Sequence, residues 1–158
     1  SLGDDAPVKS VEELIRFNKN DSIELKYFDQ DLLIMAQDMG DLNTPEYKDI
    51  LDEMLQAIRE DGIDHIMDDN DLDAIIAPTG SPAWKTDLVN GDHYVLGSSS
   101  PAAISGYPNI TVPMGFIDDL PVGLSIFGRA WSEAVLIEIA YAYEQATNHR
   151  KKPFFLED

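Results

Sequence analysis

The chain has 158 residues, enough for one domain or one piece of a larger one, and its 44% apolar residues are a globular share. Eleven Lys and Arg stand against thirty Asp and Glu, a formal charge of −19, which repels nucleic acid backbones and anionic membrane surfaces. There is no cysteine, so disulfides, thiol catalysis and thiolate metal sites are excluded.

The opening from Ser1 to Lys9 is acidic and polar, unlike a secretory leader, and no apolar run reaches the ~20 residues that cross a bilayer. The expectation is a cytoplasmic chain with neither nucleic acid nor membrane as partner. Ser10-Val11-Glu12-Glu13 is a capping box, in which Ser10 accepts a backbone N–H and Glu13 reaches back. Val11, Leu14 and Ile15 follow at helical spacing, and this helix fades near Asn18 to Asn20. Asp29 is placed to cap a second helix through Leu32, Leu33, Met35 and Ala36, with Gly40 near its end. Thr44-Pro45, a cap followed by proline at the first helical position, opens a third. Its stripe is Ile50, Leu51, Met54, Leu55 and Ile58; Gly62 ends or kinks it before the pattern runs on to about Asp69.

The character changes at Leu72, which divides a helical segment, 1–71, from an αβ segment, 72–158. Ala74 to Ala77, closed by Pro78, reads as a buried strand. Residues 78–101 are rich in Gly, Ser, Pro and Asn, and so long a connection is uncommon unless it has a function. Ser98 to Ser105 holds a short helix. Asn109 to Gly115 reads as a second strand, with Pro113 where the ladder needs no donor. Asp118 to Pro121 is a turn, and Val122 to Phe127 is a third strand. The last helix starts at Ser132-Glu133, turns Val135, Leu136, Ile139, Ala140, Tyr143 and Ala146 to the core, carries His149 to Lys152 at its end and stops at Pro153. Three short strands make a poor free-standing sheet. Strands 110–114 and 122–127 look buried on both faces, which suggests that partner strands are missing.

Little of the chemistry stands out. Asp61, Asp64, Asp68, Asp69, Asp71 and Asp73 crowd one stretch, but the spacing of a calcium loop fails at its sixth and twelfth positions. His65, His93 and His149 have no zinc-like spacing, so no metal is expected and the acidic run reads as a solvated helix end. No nucleotide-binding glycine pattern occurs, and no cofactor is expected. Ser98, Ser99 and Ser100 lie near His93, Asp92 and Lys85, the residue types of a hydrolase, without a Gly-x-Ser-x-Gly elbow; such loops are more often turns and caps. Trp84 either walls a pocket or buries itself under the long loop.

Several stretches together resemble the C-terminal part of the amidase signature family. They are Leu72 to Thr79, Ala102 to Gly115 with its Gly106-Tyr107-Pro108-Asn109 centre, Leu120 to Gly128, and the helix from Trp131 to Arg150. Gly91-Asp92-His93 with Gly97-Ser98-Ser99, and the helical lead-in from Ser10 to Asp69, are similar to one bacterial branch. The resemblance covers nearly the whole chain. It implies an α/β fold in which a mixed β-sheet is flanked by helices, here with a helical N-terminal half. It implies hydrolysis of carboxylic amides by a serine nucleophile, a second serine after a cis peptide and a lysine base. No residue here matches those catalytic positions, so the catalytic set in this chain is expected to be empty, and Ser98 to Ser100 and Lys85 are not that set. The loop Ser81 to Ser99 is expected nearest the pocket, with Trp84, Asp87, Asn90, His93 and Ser98 as pocket candidates.

The chain therefore reads as a C-terminal fragment of an amidase, inactive alone. It would meet a small-molecule amide only together with the missing N-terminal core, and peptide-type amides fit better than a tRNA-linked reaction. Two other readings stand beside it. One is a free-standing protein-binding module whose uncovered apolar surface also lets it self-associate. The other is a self-contained serine hydrolase built on Ser98 to Ser100 and His93.

Overall fold

The computed structural model describes residues 3–153. They form two compact units, one up to Asp49 and one from Ile50, so the change in composition at Leu72 lies inside the second.

In the first unit, helix α1 (Val11–Asn20) starts as its capping box dictates. Ser10 Oγ accepts from the Glu13 N–H at 3.1 Å. The Glu13 carboxylate reaches one residue further back than expected and accepts from the Lys9 N–H at 2.7 Å. Helix α2 (Asp31–Asp38) begins after Gln30 rather than at Asp29, whose carboxylate accepts only from the adjoining Gln30 N–H. Gln30 is buried because it ties α2 to α1: its amide donates to the Ile15 carbonyl and accepts from Asn18.

Helix α3 (Pro45–Ile58) carries the unit boundary and opens at Thr44, whose hydroxyl accepts from the Tyr47 N–H. Gly62 neither ends nor simply kinks the helix. It sits in a wide π-turn, Arg59–Asp64, that leads into α4 (His65–Asp69). A Cβ at Gly62 would lie 2.8 Å from the Ala57 carbonyl oxygen, so the turn needs glycine there.

The rest of the second unit is a sheet with two helices. Strands β1 (Ile75–Pro78), β2 (Asn109–Ile117) and β3 (Leu120–Phe127) run in the order β1-β3-β2, all antiparallel. Helix α5 (Ser100–Ser105) precedes β2, and α6 (Glu133–Thr147) follows β3. Asp118 and Asp119 both take positive φ, 47° and 67°, the backbone of a tight hairpin turn whose twist suits its strands. The ladder shifts between Pro113 and Gly115, and this bulge absorbs the proline's missing donor.

The core is one face of this sheet against one face of α6. Val112, Leu124 and Ile126 pack on Leu136 and Ala140, with Ile110, Met114, Ile139 and Tyr143 around them. Three expectations need correction. Strand β3 alone is central; β1 and β2 are edges, and Ile76 is 63% exposed. On α6, Val135 and Ala146 face outward, because they fall beside rather than on the Leu136–Ala140 stripe. The helix also ends before its basic run: Asn148 turns into the left-handed region (φ 52°), so His149 to Lys152 lie beyond the helix and Pro153 does not stop it.

The acidic run is largely exposed, as a solvated helix end should be, and three of its six acids also have partners among the described residues. Asp68 pairs with Arg129 at 2.6 Å, His65 lies 3.4 Å from Asp69, and Asp64 accepts from the Tyr107 hydroxyl at 2.7 Å. Burial, and then the bond to Asp64, push the Tyr107 phenol up to about 12. A tyrosine pKa raised by folding adds stability below its unfolded value near 10, and that stability is lost as pH rises toward 12. Ultraviolet titration is expected to show a late step at about pH 12 that Tyr107→Phe removes, and a high-pH titration unchanged in that variant would contradict the raised phenol.

Candidate functional site

The long loop leaves β1 at Thr79 and returns to it. The Thr79 N–H donates to the Gly123 carbonyl at 2.7 Å, and the Thr79 carbonyl accepts from the Ser98 N–H at 3.2 Å. Gly80 and Gly97 bridge just above. The loop's ends are thus pinned together at the end of β1, and residues 81–96 form a closed surface loop, a form often used for function.

Inside it, Trp84 stands edge-on to Tyr94, with ring centroids 6.1 Å apart, and remains 40% exposed. It is neither fully buried nor free. The Tyr94 hydroxyl lies so close to Gly97 that a Cβ there would be 2.6 Å from it. Asp87 accepts from the Val89 and Asn90 N–H groups at 2.9 Å and from the Asn90 side chain at 3.0 Å. The Asn90 backbone and side-chain bonds, then the Val89 bond, hold the Asp87 carboxyl below its usual range. This pair builds a turn that Gly91 completes at φ 85°. His93 is exposed. Ser98 sits at the loop base, its hydroxyl oxygen buried and, like that of Ser81, without a partner among the described residues.

The five sequence candidates therefore share one loop but not one constellation. Asp87 and Asn90 meet; no hydrogen bond among the described residues joins Trp84, His93 or Ser98 to them or to each other. A nucleophile needs a base within hydrogen-bond reach, and Ser98 and His93 do not supply that pair.

Sequence reasoning missed the polar centre beneath the loop. Register puts Ala77 and Thr111 on either side of Ser125, on the sheet face away from α6. There Thr79 Oγ1 and Ser125 Oγ lie 2.9 Å apart, with Thr111 Oγ1 at 3.4 Å from each. Ser125 is wholly buried. With the two orphaned hydroxyls of Ser81 and Ser98, the loop base is rich in groups that both donate and accept. The cluster contains no carboxylate, imidazole or amine, so it can bind and orient a polar group but has no base of its own. One signal was legible: Ser125 interrupts the apolar run Leu124 to Phe127 of a central strand.

The amidase family model matches residues 5–137. A probable amidase of Arabidopsis thaliana is 35% identical over 156 residues, covering 96% of this chain and 27% of that protein. A glutamyl-tRNA(Gln) amidotransferase chain of Geobacillus stearothermophilus is 40% identical over 87 residues, covering 51% of this chain and 18% of that one. The crystal structure of native peptide amidase from Stenotrophomonas maltophilia superposes with a TM-score of 0.85 at 43% identity, over 95% of this chain and 30% of that one. The chain thus spans under a third of the length of these relatives, and its helices and antiparallel strands are part of their fold.

Proposed function

The chain belongs to the amidase family, and on that premise we propose that it works as the C-terminal part of an enzyme that hydrolyses carboxylic amides to an acid and ammonia or an amine. In this reading the serine nucleophile, the second serine and the lysine base lie in another part of the enzyme. This chain adds strands to the sheet, packing helices and one wall of the pocket. The observation that carries the reading is the 43% identity to a peptide amidase along 95% of this chain but 30% of that enzyme. One feature of the site agrees with it: the buried hydroxyls of Ser81 and Ser98 have no partner among the described residues and could meet a group from outside. The pocket wall would be the loop 81–99, with Trp84, His93 and Ser98 toward the substrate and Asp87 and Asn90 shaping the turn. Similarity to a peptide amidase favours a small peptide-type amide as substrate.

The test uses a short peptide amide and an ammonia assay. The 158-residue chain alone is expected to release nothing above buffer, and the same chain joined to the upstream part of a peptide amidase is expected to restore turnover. Turnover by the chain alone, lost on replacing Ser98, Ser99 and Ser100 with alanine, would overturn the proposal in favour of a self-contained hydrolase. A second reading, a protein-binding module, is favoured by the exposed apolar residues Ile76, Ile137 and Tyr141 on β1 and α6. It predicts a partner bound by the chain alone without any catalytic complement.

A further inference from the structure

The chain's few cations are not evenly spread. Three of its eleven, Arg150, Lys151 and Lys152, are consecutive, and none has an ion-pair partner among the described residues. Cations after a helix commonly offset the negative end of its dipole, an effect confined to the last turn. Here α6 ends at Thr147, and Arg150 still lines a cleft with Glu144 and Thr147 of its last turn, whereas Lys151 and Lys152 do not.

The run also lies against the β2–β3 hairpin. Lys151 Nζ stands 4.6 Å from the centroid of the Phe116 ring. Together they border a groove of about 750 Å³ whose lining includes the apolar Phe116, Leu120 and Pro121 and the cations Arg150, Lys151 and Lys152. Asp119, at the hairpin turn, is the one acid lining it among the described residues, so the described lining carries three cations against one acid. The volume falls in the usual range of ligand sites, roughly 300–1,000 Å³.

We propose that this groove binds a short acidic peptide segment that carries one large apolar side chain. The apolar side chain would lie on Phe116, Leu120 and Pro121. The carboxylates would meet Arg150, Lys151 and Lys152, and Asp119 would repel them from the hairpin end. Complementary charge of this kind supplies specificity and speed of association, while the buried apolar anchor supplies most of the affinity. The site uses neither the loop 81–99 nor the hydroxyl cluster, so its test does not depend on amide turnover.

The experiment is fluorescence anisotropy with a labelled Glu-Asp-Phe-Glu-Asp peptide and the 158-residue chain. Binding is expected at low salt, weakening as salt screens the charges. The exposed double variant K151E/K152E is expected to bind about tenfold or more weakly with an unchanged circular dichroism spectrum. Leu120→Ser and a peptide with Ser in place of Phe are each expected to weaken binding severalfold. No binding, or binding equal for K151E/K152E, would overturn the proposal. So would equal binding by the peptide without its Phe, which would leave only a charge contact.

Discussion

Ile126→Ala is expected to destabilise the second unit by about 2–5 kcal/mol. Ile126 is fully buried at the centre of β3 and packs in the cluster of Val112, Leu124, Leu136 and Ala140. Shortening it removes three carbons from a place where strand neighbours on both sides and α6 above prevent collapse, so a cavity remains. Domains of this size have only about 5–15 kcal/mol in total, so the loss is a large fraction. Ile126→Val removes one methyl and should cost about 0.5–1.5 kcal/mol. Urea unfolding followed by circular dichroism measures both. A midpoint for Ile126→Ala within error of the parent would mean that the β3–α6 interface does not hold the unit together.

Gly123→Val is expected to cost about 1–3 kcal/mol and to loosen the long loop at the same time. A Cβ at Gly123 would stand 2.8 Å from Thr111 Cγ2 and 2.8 Å from Thr79 Oγ1, contacts that real Cβ atoms do not make. Thr79 cannot move freely, because its N–H donates to the Gly123 carbonyl and its carbonyl accepts from Ser98. Displacing it breaks the Thr79–Ser125 contact and unpins the loop base. Thermal melting and limited trypsin digestion read the two effects. The variant should melt lower and be cut faster after the exposed Lys85. Faster cutting without lower stability would assign the glycine to loop closure alone, and neither change would refute the close approach.

Local chemistry was legible in the sequence wherever it decided the structure. Ser10 with Glu13, Thr44 with Pro45, and the Asp118-Asp119 turn act within a few residues of themselves, and each does what its residue types require. Burial was less legible, because it depends on neighbours. Ile76 reads as core by composition and is exposed as an edge residue, and Val135 reads as core by spacing yet lies off the stripe that meets the sheet. The helix after Thr147 was overextended because Pro153 is a stronger stop signal than Asn148, although a left-handed Asn ends a helix as well. The hydroxyl cluster was hidden for a different reason. Thr111 and Ser125 come from β2 and β3 and Thr79 from the residue just after β1, and only the register of the three strands brings them together. The five loop candidates were found as a segment, but the segment's internal bonds divide them between turn-making and exposure. The family was readable from its motifs, and the match over residues 5–137 places the chain in it.

The proposal that this chain works as the C-terminal part of an amide hydrolase is tested most directly by the intact mass of the natural protein, captured from its cells with an antibody to α6. A species about three times heavier than the 17.6 kDa chain is expected, as in relatives of which this chain covers about 30%. A species at 17.6 kDa alone would contradict it and put the protein-binding module in its place.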